Sequence, residues 1–288
     1  MTIWEASKKL SATLNTVYEK REAEKIAEMV IENITGFTRS EKILHKQDLL
    51  LTDQLEKFEN YTAELLRHKP VQYVLRKAWF AGLKLYVDEN VLIPRPETEE
   101  LVDLILRDLS SQKLPGSKIL DVGTGSGCIA IALNKKISSS AVYALDISAK
   151  ALEISKENAV ANNVNINFIE ADILNIDSEI YLPDFDIIVS NPPYVTHSEA
   201  QEMDENVLLH EPELALFVPN NHPLIFYEAI ADFAISHLNK ENGKLYFEIN
   251  EMMGEKITTM LLTKGFSDVI LKKDFQNKDR MISATLKK

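Results

Sequence analysis

The most specific chemistry in the chain is the string Asn191-Pro192-Pro193-Tyr194, which directly follows the apolar run FDIIVS at 185–190. Two successive prolines lock φ and remove two N–H donors, so this stretch presents carbonyl acceptors in a fixed frame. The Asn191 side chain adds one more acceptor and a donor. Tyr194 offers a flat face for a planar group. Such a set suits a planar nitrogen, either an amide NH₂ or an exocyclic base amine. Two acceptors grip its two N–H bonds and aim the lone pair at an electrophile.

A second set of residues predicts who carries that electrophile. Asp121-Val122-Gly123-Thr124-Gly125-Ser126-Gly127 follows a predicted strand and opens a predicted helix. Glycines there let the chain turn sharply and bring backbone N–H groups near a ligand. The spacing is G-x-G-x-G, not the G-x-G-x-x-G of dinucleotide sites. Asp121 would repel a pyrophosphate and welcome an ammonium or sulfonium. Asp146 stands 19 residues past Gly127 at the end of the next strand, where a carboxylate commonly accepts from ribose hydroxyls. Asp172 can accept from an exocyclic amine, with Ile173 covering a flat ring. Together they describe a nucleoside with a cationic, amino-acid-like end, and S-adenosylmethionine fits better than NAD. His197 reads as a loop histidine and Cys128 as a small packing residue. The remaining histidines show no ligand spacing, so no metal is expected.

These residues need a scaffold that brings strand ends together. Apolar strands are expected at 118–122, 141–146, 166–169, 185–190, 244–249, 268–272 and 281–286, with helices between them at about 127–135, 148–162, 222–238 and 252–264. Strand–helix alternation predicts an α/β fold with a doubly wound sheet of seven strands, and ligands bind such sheets at the carboxyl ends of the strands. The last two strands are too close in sequence for a crossover helix and should pair antiparallel. Residues 1–70 read as a small helical bundle. Trp4, Leu10, Leu14, Val17 and Tyr18 form one stripe, and Ile26, Met29, Val30 and Ile34 form another, ended by Gly36. Ser40 and Thr52 are the expected caps of two further helices. Residues 71–95 predict a β-hairpin connector turning at Asp88-Glu89-Asn90, and 96–288 the catalytic domain.

Composition narrows the function class. The chain has 288 residues, a formal net charge of −12 and one cysteine. Residues 1–80 carry 13 Lys and Arg against 12 Asp and Glu, whereas residues 81–288 carry 19 against 32. An acidic catalytic part disfavours a phosphate backbone as partner. No run approaches the roughly 18 apolar residues of a membrane helix, and no secretory signal is visible. A single cysteine excludes an internal disulfide. A cytoplasmic monomer that touches neither membrane nor nucleic acid is expected.

The DxGTGSG loop, the acidic end of the second strand and NPPY resemble a class I S-adenosylmethionine-dependent methyltransferase acting on a planar amine. The segment PRPETE at 94–99 narrows the resemblance. With Gly82-Leu83, Val87 and VLIP at 91–94, it is similar to the PrmC/HemK family of release factor glutamine methyltransferases. HEPELAL at 210–216, Asn242-Gly243-Lys244-Leu245, Glu248-Ile249 and Asp279-Arg280 match as well. The resemblance implies a Rossmann-like methyltransferase sheet behind a small N-terminal helical domain that recognises the substrate. It implies cofactor contacts from Asp121, Gly123, Thr124, Gly125, Ser126, Gly127, Asp146, Asp172, Ile173 and Asn191. It implies catalysis by Asn191, Pro192, Pro193 and Tyr194. The implied reaction is methylation of the side-chain amide N5 of the glutamine in the Gly-Gly-Gln motif of peptide chain release factors 1 and 2. The chain departs from the family pattern at Arg76-Lys77, where a glycine is usual, and at Ile173, where an aromatic is often found. It departs again at Asp274-Phe275-Gln276-Asn277, which lacks a glycine. The alternative is a nucleic-acid exocyclic-amine methyltransferase of the N6-adenine type, which shares the Asn-Pro-Pro-aromatic motif for the same physical reason.

Overall fold

The computed structural model describes residues 1–112, 116–176 and 181–287. The chain forms two compact units, residues 1–77 with 204–210, and residues 78–203 with 211–288. By this division residues 71–77 fall in the first unit and 78–95 in the second.

The first unit contains α1 (Ile3–Leu14), α2 (Lys20–Thr35), α3 (Arg39–Leu44), α4 (Thr52–Leu65) and α5 (Val71–Val74), joined by the later helix Glu205–His210. Thr2 and Glu5 close a reciprocal capping box at the start of α1, which satisfies N–H groups the helix cannot. Ile3, Ala6, Leu10 and Leu14 recur at helical spacing and are buried, while Trp4 points away and is 52% exposed. Trp4 thus falls outside the expected stripe. α2 buries Ala23, Ile26, Ala27, Val30, Ile31 and Ile34 and ends at Gly36 with φ 72°. The cap of α3 is Thr38, boxed with Glu41, rather than Ser40. Thr52 opens α4 from inside the helix, with Leu51 at the capping position and the Gln54 side chain accepting from the Leu51 N–H.

The second unit opens with a hairpin of β1 (Ala78–Phe80) and β2 (Leu83–Leu85). Its turn is Ala81-Gly82, both with positive φ, the conformation whose twist matches the flanking strands. The expected turn at Asp88-Glu89-Asn90 is present, with the Val91 N–H donating to the Asp88 carbonyl at 3.1 Å and the Asn90 N–H to Asp88 Oδ1, but it joins no pair of strands. α6 (Pro96–Gln112) begins on a proline, whose missing N–H has no helical partner to lose at that position. β3 (Lys118–Val122), α7 (Cys128–Lys136), β4 (Ala141–Asp146), α8 (Ala149–Ala161), β5 (Ile166–Glu170) and β6 (Ile187–Ser190) follow in alternation. Beyond β6, residues 191–224 hold the short pair β7 (Val195–Thr196) and β8 (Phe217–Val218), with the helices α9 (Glu205–His210) and α10 (Glu213–Leu216) between them. The chain ends with α11 (Ile225–His237), β9 (Lys244–Glu248), α12 (Gly254–Thr263), β10 (Phe266–Lys273) and β11 (Asp279–Leu286).

The main sheet has seven strands in the order β10-β11-β9-β6-β3-β4-β5. β11 runs antiparallel to β9 and β10, and the other pairs are parallel. Successive residues of the central strands face opposite sides, and both sides are covered. Ile119, Val142, Ala144, Ile187 and Val189 pack in one apolar cluster with residues of α6 and α7. Leu120, Val122, Leu145, Ile188 and Phe247 pack in another with residues of α11 and α12. Burial on both faces is why these strands read as unbroken apolar runs. The chain leaves β3 toward β4 on one side and reaches β6 on the other, so a crevice opens at the carboxyl ends between them.

Candidate active site

A cavity of about 300 Å³ lies at those strand ends, wholly within the second unit. Gly123, Gly125, Asp146, Asp172, Ile173, Asn191, Pro192 and Pro193 all line it. Asp121, Thr124, Ser126, Gly127 and Tyr194 do not line it, and their places explain why. Asp121 is buried beneath the glycine loop. Its Oδ2 accepts from the Thr124 hydroxyl at 2.7 Å and the Ala130 N–H at 3.2 Å. Burial pushes its carboxyl up to about 7, and its Oδ1 has no partner. Gly127 packs against α8, where an added Cβ would lie 2.2 Å from Ser155 Oγ.

The loop differs from the expected ring of ligand-facing N–H groups. The Gly123 and Thr124 N–H groups donate to the Leu145 carbonyl, and the Gly127 N–H donates to the Thr124 carbonyl. The Gly125 N–H donates to Asp146 Oδ2 at 2.8 Å. Those donors are committed within the protein, so the loop acts by shape. Gly123 and Gly125 adopt positive φ with no neighbour within 4 Å of an added Cβ, leaving open space on the cavity side. Asp146 also accepts from the Ser148 N–H through Oδ1 at 2.9 Å, while Ser148 itself caps α8. Burial raises the Asp146 carboxyl above its usual range, against the pull of those N–H groups. Asp172 accepts from the Leu174 N–H, and Ile173 belongs to the apolar wall.

On the opposite wall, Asn191 Nδ2 donates to Thr98 Oγ1 at 3.2 Å. The Thr98 hydroxyl donates to Glu248 Oε2 at 2.6 Å, and the Tyr194 hydroxyl lies 3.4 Å from Glu248 Oε1. Tyr194 therefore faces Glu248 and the apolar cluster rather than offering its ring to the cavity. Its phenol is held above its ordinary range by burial and by the Glu248 charge. Burial also pushes the Glu248 carboxyl up to about 7, with the Thr98 hydrogen bond and Arg280 opposing. In the sequence, Thr98 and Glu248 stand only as letters of the PRPETE segment and the Glu248-Ile249 match. Their contact spans 150 positions, and no local spacing reveals it.

Two other contacts that spacing does not reveal shape the walls. Glu211 is buried and accepts from Arg95 Nη2 at 2.5 Å and from the Ile93 N–H at 3.2 Å. This ties the segment carrying Val91 and Leu92 to the one carrying Pro212 and Leu214, and all four line the cavity. Asn158 donates to the Ser126 and Tyr86 carbonyls, each at 2.9 Å, which pins the glycine loop to the end of the hairpin. His197 stacks on Phe217. Burial pushes the Cys128 thiol up to about 12, which fits a packing role rather than an activated thiol. Two departures from the family pattern meet the backbone directly. Arg76 and Asn277 both adopt positive φ, 49° and 65°, where a glycine is the unstrained choice.

The residues fit S-adenosylmethionine. Leu145, Ile147, Ile173, Phe226 and Ile230 give the cavity apolar walls suited to a purine. Asp146 keeps acceptor capacity for ribose hydroxyls beyond its two N–H bonds. Asp121, whose Oδ1 has no hydrogen-bond partner, lies next in the chain to Val122 and Gly123, which line the cavity, and a nearby cation would favour its ionised form. The committed loop N–H groups leave few donors for a pyrophosphate.

Residues 99–216 match the Methyltransferase small domain family and residues 5–75 the PrmC N-terminal domain family. Among solved structures, a methyltransferase from Pyrococcus furiosus superposes with a TM-score of 0.52 at 20% identity, covering 79% of this chain and 99% of that one. A T. thermophilus 16S rRNA methyltransferase in complex with AdoMet and guanosine gives a TM-score of 0.52 at 17% identity, covering 73% of this chain and 50% of that one. Both likenesses concern the fold. The sequence relatives are nearer. The release factor glutamine methyltransferase of Flavobacterium psychrophilum is 44% identical over 275 residues, 95% of each chain. That of Lactococcus lactis is 41% identical over 98% of this chain and 99% of its own. With a methyltransferase sheet, a cavity fitted to the methyl donor and relatives of this similarity along nearly their full length, the chain belongs to the family of release factor glutamine methyltransferases.

Proposed function

We propose that this enzyme transfers a methyl group from S-adenosylmethionine to the side-chain amide N5 of the glutamine in the Gly-Gly-Gln motif of peptide chain release factors 1 and 2. One observation carries the reading: Asn191, Pro192 and Pro193 line the same cavity as Asp146 and Asp172. The acceptor frame for a planar nitrogen and the seat for a nucleoside therefore share one space.

A carboxamide nitrogen is a poor nucleophile because its lone pair is delocalised. When bound, S-adenosylmethionine supplies a methyl group on a positively charged sulfur, an electrophile strong enough to leave alignment as the protein's main task. Asn191 Oδ1 and the Pro192 carbonyl each accept one N–H of the substrate amide. They fix its plane and draw electron density onto nitrogen as the N–C bond forms and the S–C bond breaks. Positioning of this kind supplies about 7–11 kcal/mol in well-oriented model reactions. No base is required before transfer, because attack leaves a positively charged, N-protonated methyl amide that is strongly acidic and gives its extra proton to water. Arg95 and Glu211 hold the cavity walls, and the apolar lining excludes water from the sulfonium.

The helical unit is assigned recognition of the release factor. It contributes no residue to the cavity and matches the PrmC N-terminal domain. The acidic balance of residues 81–288 weighs against a nucleic-acid substrate. Mass spectrometry of release-factor peptides after reaction tests the proposal, with one added methyl expected on the Gly-Gly-Gln glutamine. Asn191→Ala is expected to abolish transfer with little loss of cofactor affinity. Methyl label in DNA or RNA, with none in the release factor, overturns the reading.

A further inference from the structure

We propose that Thr98 is a positioning residue: with Glu248 it forms a hydrogen-bond relay that sets which end of the Asn191 amide faces the substrate. The inference rests on the proposed amide-methylating role of Asn191 and adds how that role is enforced.

The two ends of an asparagine amide have nearly the same shape and opposite hydrogen-bonding sense, so packing alone does not choose between them. Only the end bearing Oδ1 can accept from a substrate NH₂. The alternative end presents N–H to N–H and repels it. The choice is made by the polarity of the chain of contacts behind Asn191. An ionised Glu248 can only accept. The Thr98 hydroxyl has a single hydrogen, and the 2.6 Å approach to Glu248 Oε2 commits it there. Thr98 Oγ1 is then left with lone pairs alone, and it meets Asn191 Nδ2 at 3.2 Å. Asn191 must donate, and Oδ1 is turned to the substrate. Tyr194 holds the other carboxylate oxygen as an acceptor. Thr98 and Glu248 are both buried, 2% and 1% exposed, so water is poorly placed to substitute for either.

The relay reverses if Glu248 takes a proton. The carboxylic acid then donates to Thr98, the Thr98 hydrogen turns toward Asn191, and the amide end facing the substrate becomes a donor. Arg280 opposes that protonation, whereas Glu97 and the burial of the group favour it. Tyr194, Tyr227 and Cys128 also face Glu248. Its carboxyl is pushed up to about 7, so the relay changes sense across neutrality, and the rate of transfer rises with pH there.

The test uses the full chain with intact release factor, reading kcat, KM and the calorimetric affinity for S-adenosylmethionine. Thr98→Val removes the acceptor for Asn191, and kcat is expected to fall about 10- to 100-fold, the cost of one unsatisfied buried polar group. KM and cofactor affinity should stay near wild type. Thr98→Ser keeps the hydroxyl and should restore kcat. Glu248→Gln should lower kcat and abolish its rise across neutral pH. If Thr98→Val loses cofactor binding, a sign of misfolding, the smaller Thr98→Ala and the Glu248→Gln pH profile carry the test. Wild-type kcat in a correctly folded Thr98→Val or Thr98→Ala, a Thr98→Ser as impaired as Thr98→Val, or a retained pH rise in Glu248→Gln overturns the relay. Asn191→Ala separates the two levels. An inactive Asn191→Ala beside a fully active Thr98→Val rejects the relay alone, whereas an active Asn191→Ala rejects the role on which it rests.

Discussion

Replacing Asp146 by asparagine is a sharp probe of the cofactor seat, because the change conserves shape and removes one acceptor and one charge. In the folded enzyme Oδ2 accepts from the Gly125 N–H at 2.8 Å and Oδ1 from the Ser148 N–H at 2.9 Å. An asparagine offers one oxygen to these two donors, and its NH₂ must face the other N–H. Leaving one buried donor without an acceptor costs about 1–3 kcal/mol. Burial raises the Asp146 carboxyl above its usual range, so removing the charge returns part of that cost, and the loss of stability in the free enzyme should be small. Cofactor binding has no such offset. A ribose hydroxyl loses a charged acceptor worth about 1.5–3 kcal/mol, which is roughly a 10- to 150-fold rise in Kd. Calorimetric titration with S-adenosylmethionine and with its demethylated product gives the Kd directly. Thermal unfolding with and without ligand gives an independent reading, since the ligand-induced rise in Tm should largely vanish. Thr38→Ala is the matched control, since Thr38 does not line the cavity. It removes the α3 cap at about 1 kcal/mol of stability and should leave Kd alone. An Asp146→Asn enzyme that binds cofactor as tightly as wild type would refute the assignment of Asp146 to the ribose.

The glycine loop and the buried acids make three further predictions. Ser155 Oγ is buried without a partner, so Ser155→Ala should stabilise the enzyme by about 1 kcal/mol in denaturant unfolding. Gly127→Ala brings a Cβ to 2.2 Å of that oxygen at a φ of 82° and should destabilise by at least ~1–2 kcal/mol from the backbone alone, a loss only partly recovered in the double variant. Asp121 and Glu248 are both raised by burial to about 7. The folded chain keeps protons that the unfolded chain releases near pH 4. Their contribution to stability is therefore full below that pH and is lost as pH rises through 7. The unfolding free energy of the ligand-free enzyme, measured by denaturant titration, should decline from pH 5 to 8, and Asp121→Asn should flatten part of that decline.

Both kinds of architecture and most of the cavity are legible in the linear chain. The parallel strands could be read as apolar runs because both faces of the sheet are covered, and the glycine loop, Asp146, Asp172 and Asn191-Pro192-Pro193 could be read because each sits at a strand end. Their placement needs only the local order of strand, turn and helix. Local signals failed where two cues competed over a few residues. Thr38 rather than Ser40 caps α3 because Glu41 completes its box, and the hairpin turns at Ala81-Gly82 because that pair accepts positive φ. In the two segments where the family pattern has a glycine and this chain has none, Arg76 and Asn277 adopt the left-handed conformation themselves. What stands behind the reacting groups is visible in the folded molecule alone. Folding moved Asp121 beneath the loop, turned Tyr194 toward Glu248, and joined Thr98 to Glu248 and Arg95 to Glu211 across more than a hundred positions. Spacing along a chain encodes which side chains share a helix face or a strand end. Which buried donor meets which buried acceptor is set by how separate strands and helices pack, and the sense of the Asn191 amide follows from that.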